Sequence, residues 1–258
     1  MKGWPIQGEA RLGNPNRRRS IALSISATVA AMSGLLVWAQ PALAALACPS
    51  CFGFERLDRS VYVDAAMRPD QRTGFARSLE QGEERVGAFY GGLKKNPIVL
   101  ACATEACFRR LGGGGALGVS YATIGLRLSP FGLDPTIIAH ELSHIELHGR
   151  IGLTRWFEGA VPAWFDEGLA VLVSNDPRYL TPQGSGDRCR VEPGESLPAS
   201  SRDWMRRASA DHDLYAQAAC RVSRWVVAHG GTGAVSLLLD RIAAGADFAQ
   251  AFGHVGAD

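Results

Sequence analysis

Apolar positions recur along this chain at several distinct spacings, and each spacing predicts a different element. Over residues 70–92, Phe75, Leu79, Val86, Phe89 and Tyr90 share one helical face, until Asn96-Pro97 ends the pattern. Ile98 to Ala101 is an unbroken apolar run of strand length. Gly112 to Gly115 predicts a flexible turn. Residues 117–128 then alternate enough to give one or two strands, stopped by Ser129-Pro130. Asp134-Pro135 has the form of a helix start, an acidic cap followed by proline at the first helical position. That helix is expected to run to about His148 and to end at Gly149. A second helix is predicted from about Pro162 to Ser174, a long Pro-, Gly- and Ser-rich loop over 176–203, and three helices over 213–229, 233–244 and 247–252. A helix, then strands, then helices predict an α+β fold, and no internal repeat divides residues 45–258, which read as one domain.

The N-terminal segment follows a different pattern. Arg17-Arg18-Arg19 precedes an apolar, small-residue stretch over 21–39, followed by Ala42-Leu43-Ala44. A basic region, an apolar core and a small-x-small site make residues 1–44 a secretory signal, with cleavage expected after Ala44 or, as second choice, after Ala47. The apolar stretch is also just long enough to span a bilayer, so an uncleaved single-span anchor is the alternative. Basic residues ahead of the stretch would keep the N-terminus cytoplasmic, so either version exports the body, to the periplasm or cell envelope.

Composition and charge refine this picture. Five of the 27 basic residues and one of the 25 acids lie in residues 1–44, which leaves a nearly neutral body and no support for a nucleic-acid partner. All six cysteines follow the signal, an even count that fits disulfides in an oxidising compartment. Local pairs are expected: Cys48 with Cys51, Cys102 with Cys107, and Cys189 with Cys220. Alternatively, Cys48-Pro49-Ser50-Cys51 is a redox motif, or half of a zinc site with Cys102 and Cys107.

The chemistry-bearing motif lies on the helix that starts at Asp134. His140-Glu141-Leu142-Ser143-His144 places two imidazoles four residues apart, on one helical face, where both can ligate one ion. Glu141 points to the side of that pair, within reach of an attacking water. Ile138, Leu142 and Ile145 form the apolar stripe that anchors the helix. A tetrahedral zinc site needs a third protein ligand. Position 150, six residues after His144, is Arg150 and cannot serve. His148 lies one more turn along the same face, too far for three imidazoles in line to converge. Glu167, in Trp164-Phe165-Asp166-Glu167-Gly168-Leu169-Ala170 on the next helix, is the best candidate, and Asp166, about 100° away around that helix, is its rival. Glu146, Asp166 and His148 are candidates for orienting the ligand imidazoles, which usually donate their other N–H to an oxygen.

HELSH followed by WFDEGLA resembles the gluzincin zinc peptidases, the HExxH…WxxEG arrangement of aminopeptidase N-like and related peptidase-MA-like proteins. The resemblance implies His140, His144 and Glu167 as ligands of Zn2+ and Glu141 as general base. It implies a zincin-like core: a small mixed sheet, the motif helix beneath it, a ligand helix and C-terminal helices. It also implies an edge strand that binds substrate backbone, a place that residues 117–128 fit with Tyr121 to Arg127 as the lining, and a donor for the oxyanion, with Tyr215 as first choice and His212 as runner-up. A glutamate-bearing GxMEN-type motif, which grips a substrate amino terminus in aminopeptidase N-like enzymes, has no counterpart in Gly112 to Ser120. The spacing from His144 to Glu167 is a few residues longer than in those enzymes, with the extra length assigned to 150–160. The function implied is that of an exported zinc-dependent peptidase of the endopeptidase kind, with a peptide or protein as partner. Two other readings are a non-catalytic zincin-fold binding or scaffold module of the cell envelope, and a disulfide-handling protein using Cys48 and Cys51.

Overall fold

The computed structural model describes residues 40–254, so the signal or anchor assigned to the apolar stretch 21–39 lies outside the described residues. The chain forms α1 (Pro41–Ala47), a 3-10 turn over Pro49–Phe52, β1 (Phe54–Asp58), β2 (Val61–Asp64), α2 (Pro69–Tyr90) and β3 (Ile98–Ala101). Next come α3 (Glu105–Arg110), β4 (Gly118–Tyr121), β5 (Gly125–Leu128) and α4 (Pro135–Ile151). The remainder is helical: α5 (Leu153–Phe157), α6 (Ala163–Ser174), α7 (Ser201–Ala208), α8 (Leu214–Ala228), α9 (Thr232–Ala243) and α10 (Phe248–His254). This is an α+β fold with a small mixed sheet, as the order of patterns predicts.

The five strands lie in the order β1-β2-β3-β5-β4. β2, β3 and β5 run parallel, while β1 and β4 are antiparallel to their neighbours. Side chains alternate across the sheet as a period of two requires. Val61, Val63, Val99, Ala101, Leu126 and Leu128 enter the main core with Ile138, Leu142 and Ile145 of α4 and Phe75, Leu79 and Val86 of α2. Leu100 faces the other way, into a smaller core with Phe54, Phe108, Leu111 and, from α1, Ala42, Ala45 and Leu46. The motif helix therefore lies directly under one face of the sheet, with α6 and α8 beyond it.

Local sequence explains how α4 is held. The Asp134 carboxylate accepts hydrogen bonds from the backbone N–H groups of Thr136 (2.7 Å) and Ile137 (3.2 Å), with Pro135 at the first helical position. The expected stop at Gly149 is corrected: the helix continues through it to Ile151 and ends at Gly152, whose φ of 85° suits glycine. Within the helix, glycine at 149 leaves room for the Lys95 side chain, since an added Cβ would lie 2.2 Å from Lys95 Cε. After α4 comes α5, whose Trp156 packs against His148 at 5.1 Å between rings. The loop expected over 176–203 is shorter than predicted, since Ser200 caps α7 by accepting from Asp203 N–H.

Three cysteine pairs, Cys48–Cys51, Cys102–Cys107 and Cys189–Cys220, are bonded as expected from their local spacing, and no described cysteine is free. The cysteines therefore make neither half of a zinc site nor a reduced dithiol, and the bonds are compatible with an oxidising location. The expected cleavage point after Ala44 falls inside α1, a helix whose Ala42, Ala45 and Leu46 are buried. Among the described residues no helix is long and apolar enough to cross a membrane.

Candidate metal centre and cleft

α4 and α6 pack side by side and bring two imidazoles and a carboxylate together. His140 Nε2 and His144 Nε2 are 3.2 Å apart, and Glu167 Oε2 lies 3.4 Å from the first and 3.7 Å from the second. A tetrahedral zinc with bonds of about 2.0–2.1 Å has ligand–ligand edges of about 3.3–3.4 Å, so these three atoms have the spacing of three corners around one ion. The donor set, two imidazoles and one carboxylate, also suits zinc in a site that keeps an open position.

Glu167 reaches the pair because of how α6 is seated. Phe165 and Leu169 are fully buried in the main core, which turns Glu167, two residues past Phe165, toward α4. Gly168 lets α8 approach: a Cβ there would lie 2.6 Å from the Ala218 carbonyl oxygen. The WFDEG run therefore packs α6 into the core as well as presenting Glu167 to the imidazole pair.

Asp166 does not join the three ligand atoms. Its Oδ1 lies 2.6 Å from His144 Nδ1 and its Oδ2 lies 2.8 Å from His148 Nε2. These are direct hydrogen-bond lengths, shorter than the edges around a metal. His144, His148 and Asp166 also form a group close enough to hold an ion, but their contacts are already made with one another. Asp166 is therefore the carboxylate that fixes the ring of His144, and His148 is its second donor, with Nδ1 3.4 Å from the Ala122 carbonyl. Burial disfavours the Asp166 anion, but the two imidazoles beside it outweigh this and hold its carboxyl well below the usual range. Glu146, the other acid considered, has a different task. It accepts from the backbone N–H groups of Lys94 (2.9 Å) and Lys95 (2.7 Å) and pairs with Arg150 at 3.4 Å, tying the loop after α2 to α4.

Glu141 sits on the sheet side of the imidazole pair, beneath β4. An added Cβ at Gly118 would lie 2.7 Å from Glu141 Cγ, so the glycine leaves room for this side chain. Burial raises the Glu141 pKa, partly opposed by His140 and His144 and by a hydrogen bond to the Ser120 backbone.

His140 and Glu141 open onto a cleft of about 250 Å³, lined also by Gly115 to Gly118, Ile137, Arg178, Tyr179 and Tyr215. Tyr215, in the first turn of α8, has its ring centroid 6.3 Å from that of His140 and stacks on Tyr179 at 5.2 Å. Burial and then the Glu167 carboxylate push its phenol upward, so it remains a protonated donor near neutral pH. The runner-up, His212, is exposed in the turn before α8 and does not line the cleft.

The expected lining strand is also corrected. The edge strand is β4, over 118–121, and the cleft wall is Gly115 to Gly118 rather than Tyr121 to Arg127. Arg127 belongs to β5, one strand further in, and points to the opposite face, where its guanidinium lies over Phe108 and donates to the Leu111 carbonyl. Sequence reasoning missed Arg178 and Tyr179. They follow α6 in the irregular Asn175–Leu180 segment, where no periodicity indicates a direction. Compared with known proteins, the chain matches no family model, no curated protein and no solved structure.

Proposed function

We propose that this protein is an exported zinc-dependent peptidase of the gluzincin type. The observation that carries the reading is the convergence of His140 Nε2, His144 Nε2 and Glu167 Oε2 at 3.2–3.7 Å, beside a buried Glu141 that opens onto a cleft. His140, His144 and Glu167 would hold a zinc ion, whose Lewis acidity would lower the pKa of a water and polarise a peptide carbonyl. Glu141 takes the proton of the attacking water and later passes it to the leaving amine. Tyr215 donates its phenolic hydrogen to the oxygen that gains negative charge. Asp166 keeps the proton of His144 on Nδ1, which leaves Nε2 free as a ligand. β4, the sheet edge above Glu141, offers unpaired backbone groups to an extended substrate. The three disulfides favour an oxidising compartment, in line with export by the N-terminal segment.

A pure binding module gains nothing from a buried carboxylate beside two imidazoles, so the catalytic reading explains more of the site. The test is a peptide library assayed with and without chelator, for wild type and for Glu141→Gln. Expected are chelator-sensitive cleavage by wild type, and retained zinc with lost cleavage in the variant. Equal cleavage by both proteins would overturn the assigned base, and no metal-dependent cleavage by either would overturn the peptidase reading.

A further inference from the structure

The cleft carries one more feature that bears on its substrate. Arg178 is the only arginine or lysine among the residues lining it. Its guanidinium is fixed from two sides. Nε lies 3.0 Å from both carboxylate oxygens of Asp176, Nη2 lies 2.5 Å from Oδ2, and the guanidinium carbon sits 5.1 Å from the centroid of the Tyr179 ring. Asp176 is itself 1% exposed and its Oδ1 also accepts from Arg178 N–H, so the anchor is part of the core. The cation does not swing freely as a surface arginine does. It is held at the rim with about half of its side chain in solvent, and none of the hydrogen bonds among the described residues uses Nη1.

The wall Gly115 to Gly118 has no charged side chain, and Glu141, beside the imidazole pair, is the one acid among the lining residues. The cleft therefore has no spare acid to grip a substrate amine and one immobilised cation to grip an anion. Tyr179 and Tyr215, stacked beside it, supply a flat apolar wall for the chain that carries that anion.

We propose that Arg178 selects substrates bearing a carboxylate close to the bond that is cut. This rests on the peptidase reading above and narrows its substrate class to acidic peptides. The carboxylate comes from an Asp or Glu side chain or from the peptide C-terminus, since a guanidinium edge pairs equally with either. Arg178 acts on binding and touches none of the reacting atoms, so its contribution appears in KM.

The experiment compares four peptides of one parent sequence on the zinc-loaded protein: acidic or amide side chains next to the cleaved bond, each with a free or amidated C-terminus. A roughly tenfold lower KM for peptides with acidic side chains, or for those with free termini, is the expected result and identifies which carboxylate is used. Arg178→Gln should collapse that ratio, and Arg178→Lys should restore part of it. Because loss of Arg178 leaves a buried Asp176 unpaired, added salt on the wild-type protein provides a second readout and should shrink the same ratio. Chelator-sensitive cleavage with no preference among the four peptides would overturn the role of Arg178 and leave the peptidase reading intact. Absence of any metal-dependent cleavage, in these peptides and in a broad library, would overturn both.

Discussion

Replacing Asp166 by Asn isolates the contribution of one charge to the metal centre. Asp166 accepts from His144 Nδ1 at 2.6 Å and from His148 Nε2 at 2.8 Å. The amide has the same shape but one acceptor and one donor. If its oxygen stays on His144, its NH2 meets His148 Nε2, which must then act as acceptor. His148 has a way to comply, since its Nδ1 faces the Ala122 carbonyl at 3.4 Å and can carry the proton there. The variant therefore keeps the geometry and loses the negative charge that makes His144 a stronger base. Losing such a partner typically weakens metal binding 10–100-fold, or about 1.4–2.8 kcal/mol. Competition against a chromophoric chelator at neutral pH measures this directly, with circular dichroism confirming the fold. Asp166→Ala should lose more, because it also leaves both imidazole donors unpaired. Zinc affinity unchanged in Asp166→Asn would refute the claim that this carboxylate tunes the site.

Three further outcomes follow from the geometry. Tyr215→Phe should lower kcat by about 100-fold while zinc content stays at the wild-type level, as expected for loss of one donor to the oxyanion; a change confined to KM would contradict that role. Gly118→Ala should keep zinc but reduce kcat/KM by at least about tenfold, because its Cβ would lie 2.7 Å from Glu141 Cγ and must displace the base or the edge strand; full activity would show that the base tolerates the shift. Leu46→Ala should destabilise the protein by about 2–4 kcal/mol in chemical denaturation, and a chain starting at Ala45 should melt below one starting at Gln40, because α1 is part of the smaller core; equal stability would show that α1 adds nothing to the domain.

The site was more legible in the sequence than the sheet was. His140, Glu141 and His144 are linked by helical spacing, and the Asp134-Pro135 cap marks where that helix starts, so their shared face follows from local rules. Glu167 required a contact between two helices, but the buried Phe165 and Leu169 around it constrain which way it points. The strands gave weaker signals. β1 reads Phe-Glu-Arg-Leu-Asp with only Phe54 buried, so neither alternation nor an apolar run marks it. The alanine-rich, small-residue sequence of α1 suits both a cleavage site and a buried helix, so its helical form is not legible from composition. The cleft wall was misplaced for a different reason. Residues 117–128 have the pattern of strand, but nothing local says which half forms the edge or which face Arg127 takes. Those are set by pairing with β3, a contact distant in sequence. Arg178 and Tyr179 were illegible because their directions depend on the Asp176 anchor and on stacking with Tyr215.

Whether His140, His144 and Glu167 together grip one zinc ion is decided by X-ray absorption at the zinc edge of the loaded protein. Expected is one zinc per chain with nitrogen and oxygen neighbours at about 2.0–2.1 Å, including the scattering signature of two imidazoles. Sulfur neighbours at about 2.3 Å, or an all-oxygen shell without imidazole scattering, would contradict it.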